Sequence, residues 1–271
     1  MNFETLLYEE RAAVATVTLN RPEVHNAFNI QMQVELRAVW QSLRRNDDVN
    51  AVVLTGSGAK AFCTGIDRTE SMGDYPPKEQ RVGTVGSSPF MFDDPGANIG
   101  PKSNDCWKPV IAAVNGMACG GAFYLLGESD IIIAQEFATF FDPHTTYGMA
   151  ASFESMHMVS KMPLGEVLRM QLLGNHERMS AQRAFQIGAV SEVVTFDDLP
   201  GAAAWVAESI ASQPTLSVQA TLRAIWAAHD LGRRAGLEQG YSFVKLGSTA
   251  ESIREGQERF ASGERTEYRV R

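Results

Sequence analysis

Apolar positions along this chain recur with two periods, and the switching between them predicts the architecture. Residues Ala12–Asn20 (AAVATVTLN) read as a β-branched strand that stops at Arg21-Pro22. Over Asn29–Arg45, Leu36, Val39, Trp40 and Leu43 fall on one helical face, and Arg44 and Arg45 occupy the last turn. Ala51–Thr55 then reads as a short buried strand closed by Gly56-Ser57-Gly58. A third apolar run (Val110, Ile111, Val114) breaks at Asn115-Gly116, passes through Gly120-Gly121 and becomes helix-compatible over Ala122–Gly127. Asp130–Ala134 is a further strand. Strand and helix in alternation predict an α/β fold.

Between Arg68 and Lys108 the periodicity fails. Prolines and glycines punctuate about forty residues, and Phe90, Met91 and Phe92 sit in their middle. A stretch of that length reads either as a lid over an apolar pocket or as a mobile insertion. After Ala134 the pattern turns helical. Leu164–Leu173 follows Pro163 and closes at Gly174, and Ser180 caps Ser180–Ile187 before Gly188. Strand-like Ala189–Thr195 leads to helices at Asp198–Ser212, Pro214–His229 and Ser248–Phe260.

Composition narrows the class. The 271 residues carry 44% hydrophobic and 21% charged side chains, with a net charge of −8. No Lys/Arg run stands out, which argues against nucleic acid and against a basic membrane-surface helix. No apolar run has the eighteen or so residues of a membrane span. The start MNFETLLYEE lacks the apolar centre of a signal peptide, and Cys63, Cys106 and Cys119 have neither metal-like spacing nor an even count. The expectation is a cytoplasmic protein without disulfides or a bound metal.

The strand–glycine–helix stretch Ala113–Asp130 is where chemistry is expected first. Amides in the first turn of a helix lack intrahelical partners and can hold an anion or a developing oxyanion. A tight turn that merely lets a helix pack closely would have the same sequence.

Three ordered stretches bring a family into view: Arg21-Pro22 with Asn26-Ala27-Phe28, Lys60–Asp67 (KAFCTGID), and Lys108–Gly116 (KPVIAAVNG) running through Gly120-Gly121 to Ser129-Asp130-Ile131. With Leu173-Gly174, Met179-Ser180-Ala181, Gly188-Ala189-Val190 and Arg254-Glu255-Gly256, they resemble the crotonase (enoyl-CoA hydratase/isomerase) superfamily over nearly the whole chain. The resemblance implies a crotonase-type spiral of ββα turns over residues 1–195. It also implies a helical C-terminal region, 196–271, that builds a homotrimer or a dimer of trimers.

It implies as well an acyl-CoA thioester substrate, with coenzyme A entering as part of that substrate and no separate cofactor. The thioester oxygen would lie between the amides of Ile66 and Gly121, each worth about 3 kcal/mol to an enolate. The coenzyme A arm would run along Val24, Ala27, Ala61, Thr64 and Ile66. Lys60, Arg68 and Arg265 are candidate phosphate partners.

The departures matter as much. Hydratases of this superfamily use two glutamates, and here the corresponding positions hold Tyr124 and, after Asp142-Pro143, His144. His144 is the leading replacement, because an ordinary pKa near 6.5 suits proton transfer at neutral pH. Asp142 is placed to orient it, Tyr124 to donate a hydrogen bond, and Glu154 to supply a carboxylate from the following loop. Each also has a plain reading: a satisfied histidine, a turn cap, a packed tyrosine, a helix-start acid. Cys63 and Cys119 flank the two amides and read as small buried filler.

The nominal activity is enoyl-CoA hydration. Double-bond isomerisation, which needs one base, and C–C hydrolysis of a cyclic acyl-CoA stay open. So does a non-catalytic acyl-CoA binder that has kept the fold. An α/β-hydrolase is discounted because no G-x-S-x-G elbow occurs.

Overall fold

The structure is a computed structural model and describes residues 3–71, 94–263 and 265–271. The chain divides into two compact units, Met1–Ala211 and Ser212–Arg271. The Phe90-Met91-Phe92 segment lies outside the described residues.

The first unit opens with β1 (Leu6–Arg11), β2 (Val14–Leu19), α1 (Ile30–Leu43), β3 (Ala51–Gly56), β4 (Ala61–Cys63) and α2 (Arg68–Ser71). It continues with α3 (Gly96–Ile99), β5 (Val110–Val114), β6 (Met117–Cys119), α4 (Ala122–Glu128), β7 (Ile131–Gln135) and β8 (Thr139–Phe141). It closes with α5 (Phe153–Val159), α6 (Leu164–Leu173), β9 (Met179–Ser180), α7 (Ala181–Gln186), β10 (Glu192–Val194) and α8 (Leu199–Ala211).

From β3 to β8, successive strands go alternately to two sheets. One has six strands in the order β1-β2-β3-β5-β7-β10, and the other has four, β4-β6-β8-β9. The pairs β3/β4, β5/β6 and β7/β8 each place one strand in each sheet, and their partners in the next pair run parallel to them. The result is a mixed α/β spiral, as the resemblance implies.

Alternation along the strands builds two cores. Val52 and Leu54 of β3 face the main core with Phe28, Trp40, Phe62 and Phe123. Ala51 and Val53, on the opposite face, meet Leu199, Ala203 and Ala207 of α8. Helix α8 therefore packs with the spiral, and the compact first unit extends past the expected boundary at 195 to Ala211. Buried Trp40 is satisfied by donating to the Ile99 carbonyl at 2.7 Å.

One expectation changes in detail. The strand predicted from Ala12 begins at Val14, because Ala12 (φ 51°) and Ala13 (φ 60°) adopt left-handed backbone and form the hairpin turn. Strand β1 before it escapes the sequence pattern, since Glu9, Glu10 and Arg11 interrupt its alternation.

In the second unit, α9 (Thr215–Asp230), α10 (Arg233–Gly247) and α11 (Ala250–Ala261) follow one another. Helices α9 and α10 approach closely through glycine: a Cβ on Gly236 would lie 2.6 Å from Ala228 Cα. Thr249 and Ser252 cap α11 reciprocally. Among the described residues no helix is long and apolar enough to cross a membrane.

Candidate active site

Two loops bring two backbone amides together. Asn26, fully buried, accepts from the Arg21 amide at 3.0 Å and donates to the Ser57 and Ala61 carbonyls at 3.0 and 2.9 Å. This pins the Arg21–Phe28 loop to the β3–β4 turn. Arg21 then reaches Asp67 at 2.8 Å and the Ala27 carbonyl at 2.7 Å.

Between these anchors Phe28 pairs with Ile66 as a parallel bridge, using the Gly65 carbonyl (2.8 Å) and the Asp67 amide (2.9 Å). A bridge built on those two groups turns the Ile66 N–H away from Phe28. The second amide, Gly121, immediately precedes α4. Among the described residues neither the Ile66 nor the Gly121 amide has a hydrogen-bond acceptor. Helix α4 has only seven residues, so what its N-terminus offers an anion is the free amide itself more than a macrodipole.

Ile66 and Gly121 both line a cavity of about 440 Å³. Ile66, Gly121, Tyr124, His144 and Glu154 line it, so five of the six residues singled out for chemistry converge from the β4–α2 loop, α4 and the residue before it, the β8–α5 loop and α5. The sixth, Asp142, stands behind His144. Its Oδ1 accepts the His144 amide at 2.9 Å and lies 2.5 Å from His144 Nδ1. That contact assigns the imidazole proton to Nδ1 in the neutral ring and leaves Nε2 facing the cavity. His144 Nε2 is 3.6 Å from Glu154 Oε1. Gly120 adopts left-handed backbone (φ +56°), which favours glycine, and a Cβ there would be in ordinary contact with His144 Cε1 at 3.6 Å.

The electrostatics separate the two groups facing the reaction space. The Asp142 hydrogen bond raises the His144 pKa above its ordinary value, outweighing burial, which acts the other way. Burial raises the Glu154 carboxyl, opposed by hydrogen bonding and by His144. Tyr124 is pushed up by burial and then by Glu154 and Asp94.

Asp94, which sequence reasoning did not single out, lines the cavity and accepts the Tyr124 hydroxyl at 3.0 Å. The run Asp94-Pro95-Gly96 reads locally as a turn, and nothing in it signals a tyrosine thirty positions away. Arg68 and Tyr147 also line the cavity, with the guanidinium 5.0 Å over the ring centre.

The residues assigned to the coenzyme A arm divide. Thr64 and Ile66 line the cavity, with the Ile66 side chain 39% exposed. Val24 is half-buried in a 3-10 turn, and Ala27 is buried. Ala61 is buried in β4, where its carbonyl takes the Asn26 and Asn115 side-chain amides, and it is not among the residues that line the cavity. Burial pushes the Cys63 and Cys119 thiols up to about 12, which suits inert filler. Among the described residues no cluster of three or more His, Cys, Asp or Glu side chains is placed to hold a metal.

Known proteins of similar sequence and structure bear on this geometry. A family model described as enoyl-CoA hydratase/isomerase matches residues 9–269. The chain is 36% identical to an (E)-benzylidenesuccinyl-CoA hydratase of Thauera aromatica over 86% of this chain and 85% of that one. It is 31% identical to a short-chain-enoyl-CoA hydratase of Clostridium acetobutylicum over 83% and 82% of the two chains. Among solved structures, an enoyl-CoA hydratase/isomerase from Mycobacterium paratuberculosis superposes with a TM-score of 0.87 at 34% identity, covering 100% of both chains.

Proposed function

The chain belongs to the enoyl-CoA hydratase/isomerase family, and we propose that within it this enzyme adds water to an α,β-unsaturated acyl-CoA by using a histidine–glutamate pair. The observation that carries this reading is the 3.6 Å separation of His144 Nε2 and Glu154 Oε1 on the wall of the cavity that Ile66 and Gly121 also line. Two groups so placed can share one water.

Their environments suggest the roles. Asp142 favours protonated His144, whereas Glu154, with the lower ordinary pKa, is the better candidate base. Glu154 takes a proton from water as the hydroxide oxygen bonds to Cβ. The Cα=Cβ electron pair moves toward the thioester, whose oxygen becomes an enolate held by the two amides. Collapse of the enolate takes a proton at Cα from His144, and transfer from Glu154 back to His144 resets the site. Asp142 keeps the imidazole oriented throughout.

Phe28, Tyr124, Tyr147 and Phe153 line the cavity, and this aromatic wall favours a bulky apolar or aryl acyl group over a short linear one. The relative that acts on a benzylidenesuccinyl thioester supports the same preference. Exposed apolar side chains on the C-terminal helices, among them Ile225, Leu237, Val244 and Phe260, favour self-association as a homotrimer or dimer of trimers. The three free, buried cysteines are compatible with a reducing cytoplasm.

The test is turnover by the pure protein of crotonyl-CoA, an aryl 2-enoyl-CoA, a 3-enoyl-CoA and a cyclic diketone CoA ester. Hydration of the 2-enoyl thioesters, faster for the aryl one, is expected. Turnover of only the 3-enoyl or the cyclic ester would replace hydration with isomerisation or C–C hydrolysis. Tight binding of all four without reaction would leave an acyl-CoA binder.

A further inference from the structure

Tyr124 presents one hydroxyl proton to two carboxylates that reach the cavity from different elements. Asp94 approaches from the start of α3, with Oδ1 3.0 Å from the hydroxyl and Oδ2 accepting the Gly96 amide at 3.0 Å. Glu154 approaches from α5 and lines the same cavity as Tyr124, whose hydroxyl hydrogen bond goes to Asp94. The ring itself is fixed. It stands edge-on to His157 at 5.6 Å and 87°, and a Cβ on Gly96 would lie 2.8 Å from its Cδ1. A hydroxyl donates once. The carboxylate that receives this proton is stabilised as an anion, and the other keeps the higher proton affinity.

We propose that Asp94 is a positioning residue of this site: by taking the Tyr124 hydroxyl proton it withholds that donor from Glu154 and leaves it the stronger base. The inference rests on the reading that Glu154 draws the proton from water. Asp94 holds the tyrosine from just before α3, whereas Glu154 and His144 approach each other from α5 and the β8–α5 loop. The other titratable and charged groups around the trio are consistent with this division. His144 and, behind it, Asp142 face Glu154; His157 lies beside Asp94 and the Tyr124 ring; Arg68 faces His144. Burial raises both carboxyls, so loss of a donated hydrogen bond is felt strongly at either one.

The test is the pH dependence of kcat with the best 2-enoyl-CoA substrate. In Asp94→Asn the weaker amide acceptor releases the tyrosine proton to Glu154. Its acid limb is expected to move down by about one pH unit and kcat to fall roughly tenfold, with KM within about twofold. Tyr124→Phe is expected to leave the acid limb in place, because Glu154 is already without that proton. In the Tyr124→Phe background, Asp94→Asn is expected to leave the limb in place as well.

An acid limb that stays put in Asp94→Asn, or moves equally in both backgrounds, overturns the proposal. So does a limb that rises in Tyr124→Phe alone, which also serves should Asp94→Asn fail to fold. These outcomes leave the Glu154 reading intact as long as Glu154→Gln lowers kcat. Wild-type turnover by Glu154→Gln would remove that reading and the proposal with it.

Discussion

Gly65 lies against Gly121 so closely that a methyl group on Gly65 would sit 2.7 Å from the Gly121 nitrogen. The two segments that carry the outward-facing amides of Ile66 and Gly121 are therefore held together by a contact that only glycine permits. Gly65 also has φ +83°, so a side chain there is strained as well as crowded. Gly65→Ala is expected to lower kcat by about 10²–10³-fold, as for the loss of an oxyanion donor. Steady-state kinetics beside a melting curve separate this from unfolding. Wild-type kcat in the folded variant would show that the two amides do not act together.

The 2.5 Å contact between Asp142 and His144 sets a pH dependence. Asp142 raises the His144 pKa, so the imidazolium persists to higher pH than an ordinary histidine's. As proton donor, His144 would set the alkaline limb. Asp142→Asn is expected to move that limb to lower pH, which NMR titration of the ring would register independently. The same linkage gives a stability term present below the ordinary histidine pKa and lost as pH rises through the raised value. An alkaline limb unmoved by Asp142→Asn assigns that limb to another group.

Removing the proposed acid and base should act on kcat more than on KM. His144→Ala and Glu154→Gln are each expected to lower kcat by about 10²–10⁴-fold, the usual worth of a positioned proton-transfer group. Because burial raises the Glu154 carboxyl, the wild-type acid limb should lie above the ordinary glutamate range. Calorimetry with a non-reacting acyl-CoA checks that binding survives, and full turnover in both variants would dismiss this pair.

The Arg21–Asp67 pair, at 2.8 Å and largely buried, fastens the loop that carries the Ile66 amide. Burial raises the Asp67 carboxyl, but hydrogen bonds from Thr69 and Arg21 outweigh it and hold the pKa below the usual range. A lowered folded-state pKa stabilises above the unfolded value, and that stability is lost as pH falls through the folded one. Asp67→Asn is expected to cost about 3 kcal/mol in urea unfolding at neutral pH, the lower end for breaking a buried pair. The difference from wild type should shrink in acid. An equal difference at both pH values would assign the loss to packing.

The short strands β4, β6, β8 and β9, of two or three residues each, show why part of the fold was hidden from the sequence. Two or three residues cannot display a period, and these strands exist because longer neighbours hold them in register. Helix α10 was missed for a related reason. Gly236, Gly240 and Gly247 depress its local helix propensity, while two of them, Gly236 and Gly247, are buried where α9 comes close. Its helicity is thus tied to packing within the C-terminal unit more than to its own sequence.

By itself, the sequence determined what depends on local backbone. The longer strands and helices follow from their apolar spacing, and the glycine turns at Gly65 and Gly120-Gly121 mark where amides go unpaired. The ordered set of stretches from Arg21-Pro22 and Asn26-Ala27-Phe28 through Lys60–Asp67 and Lys108–Gly116 to Ser129-Asp130-Ile131 is what points to the family. Tertiary structure alone decided which side chains meet. Asp94, Tyr124, His144 and Glu154 are spread over sixty positions and share no helix face or strand register, yet the spiral brings all four to one cavity. A carboxylate's role depends on what removes its water and which donor reaches it first. Those are distances through space, which spacing along the chain does not encode.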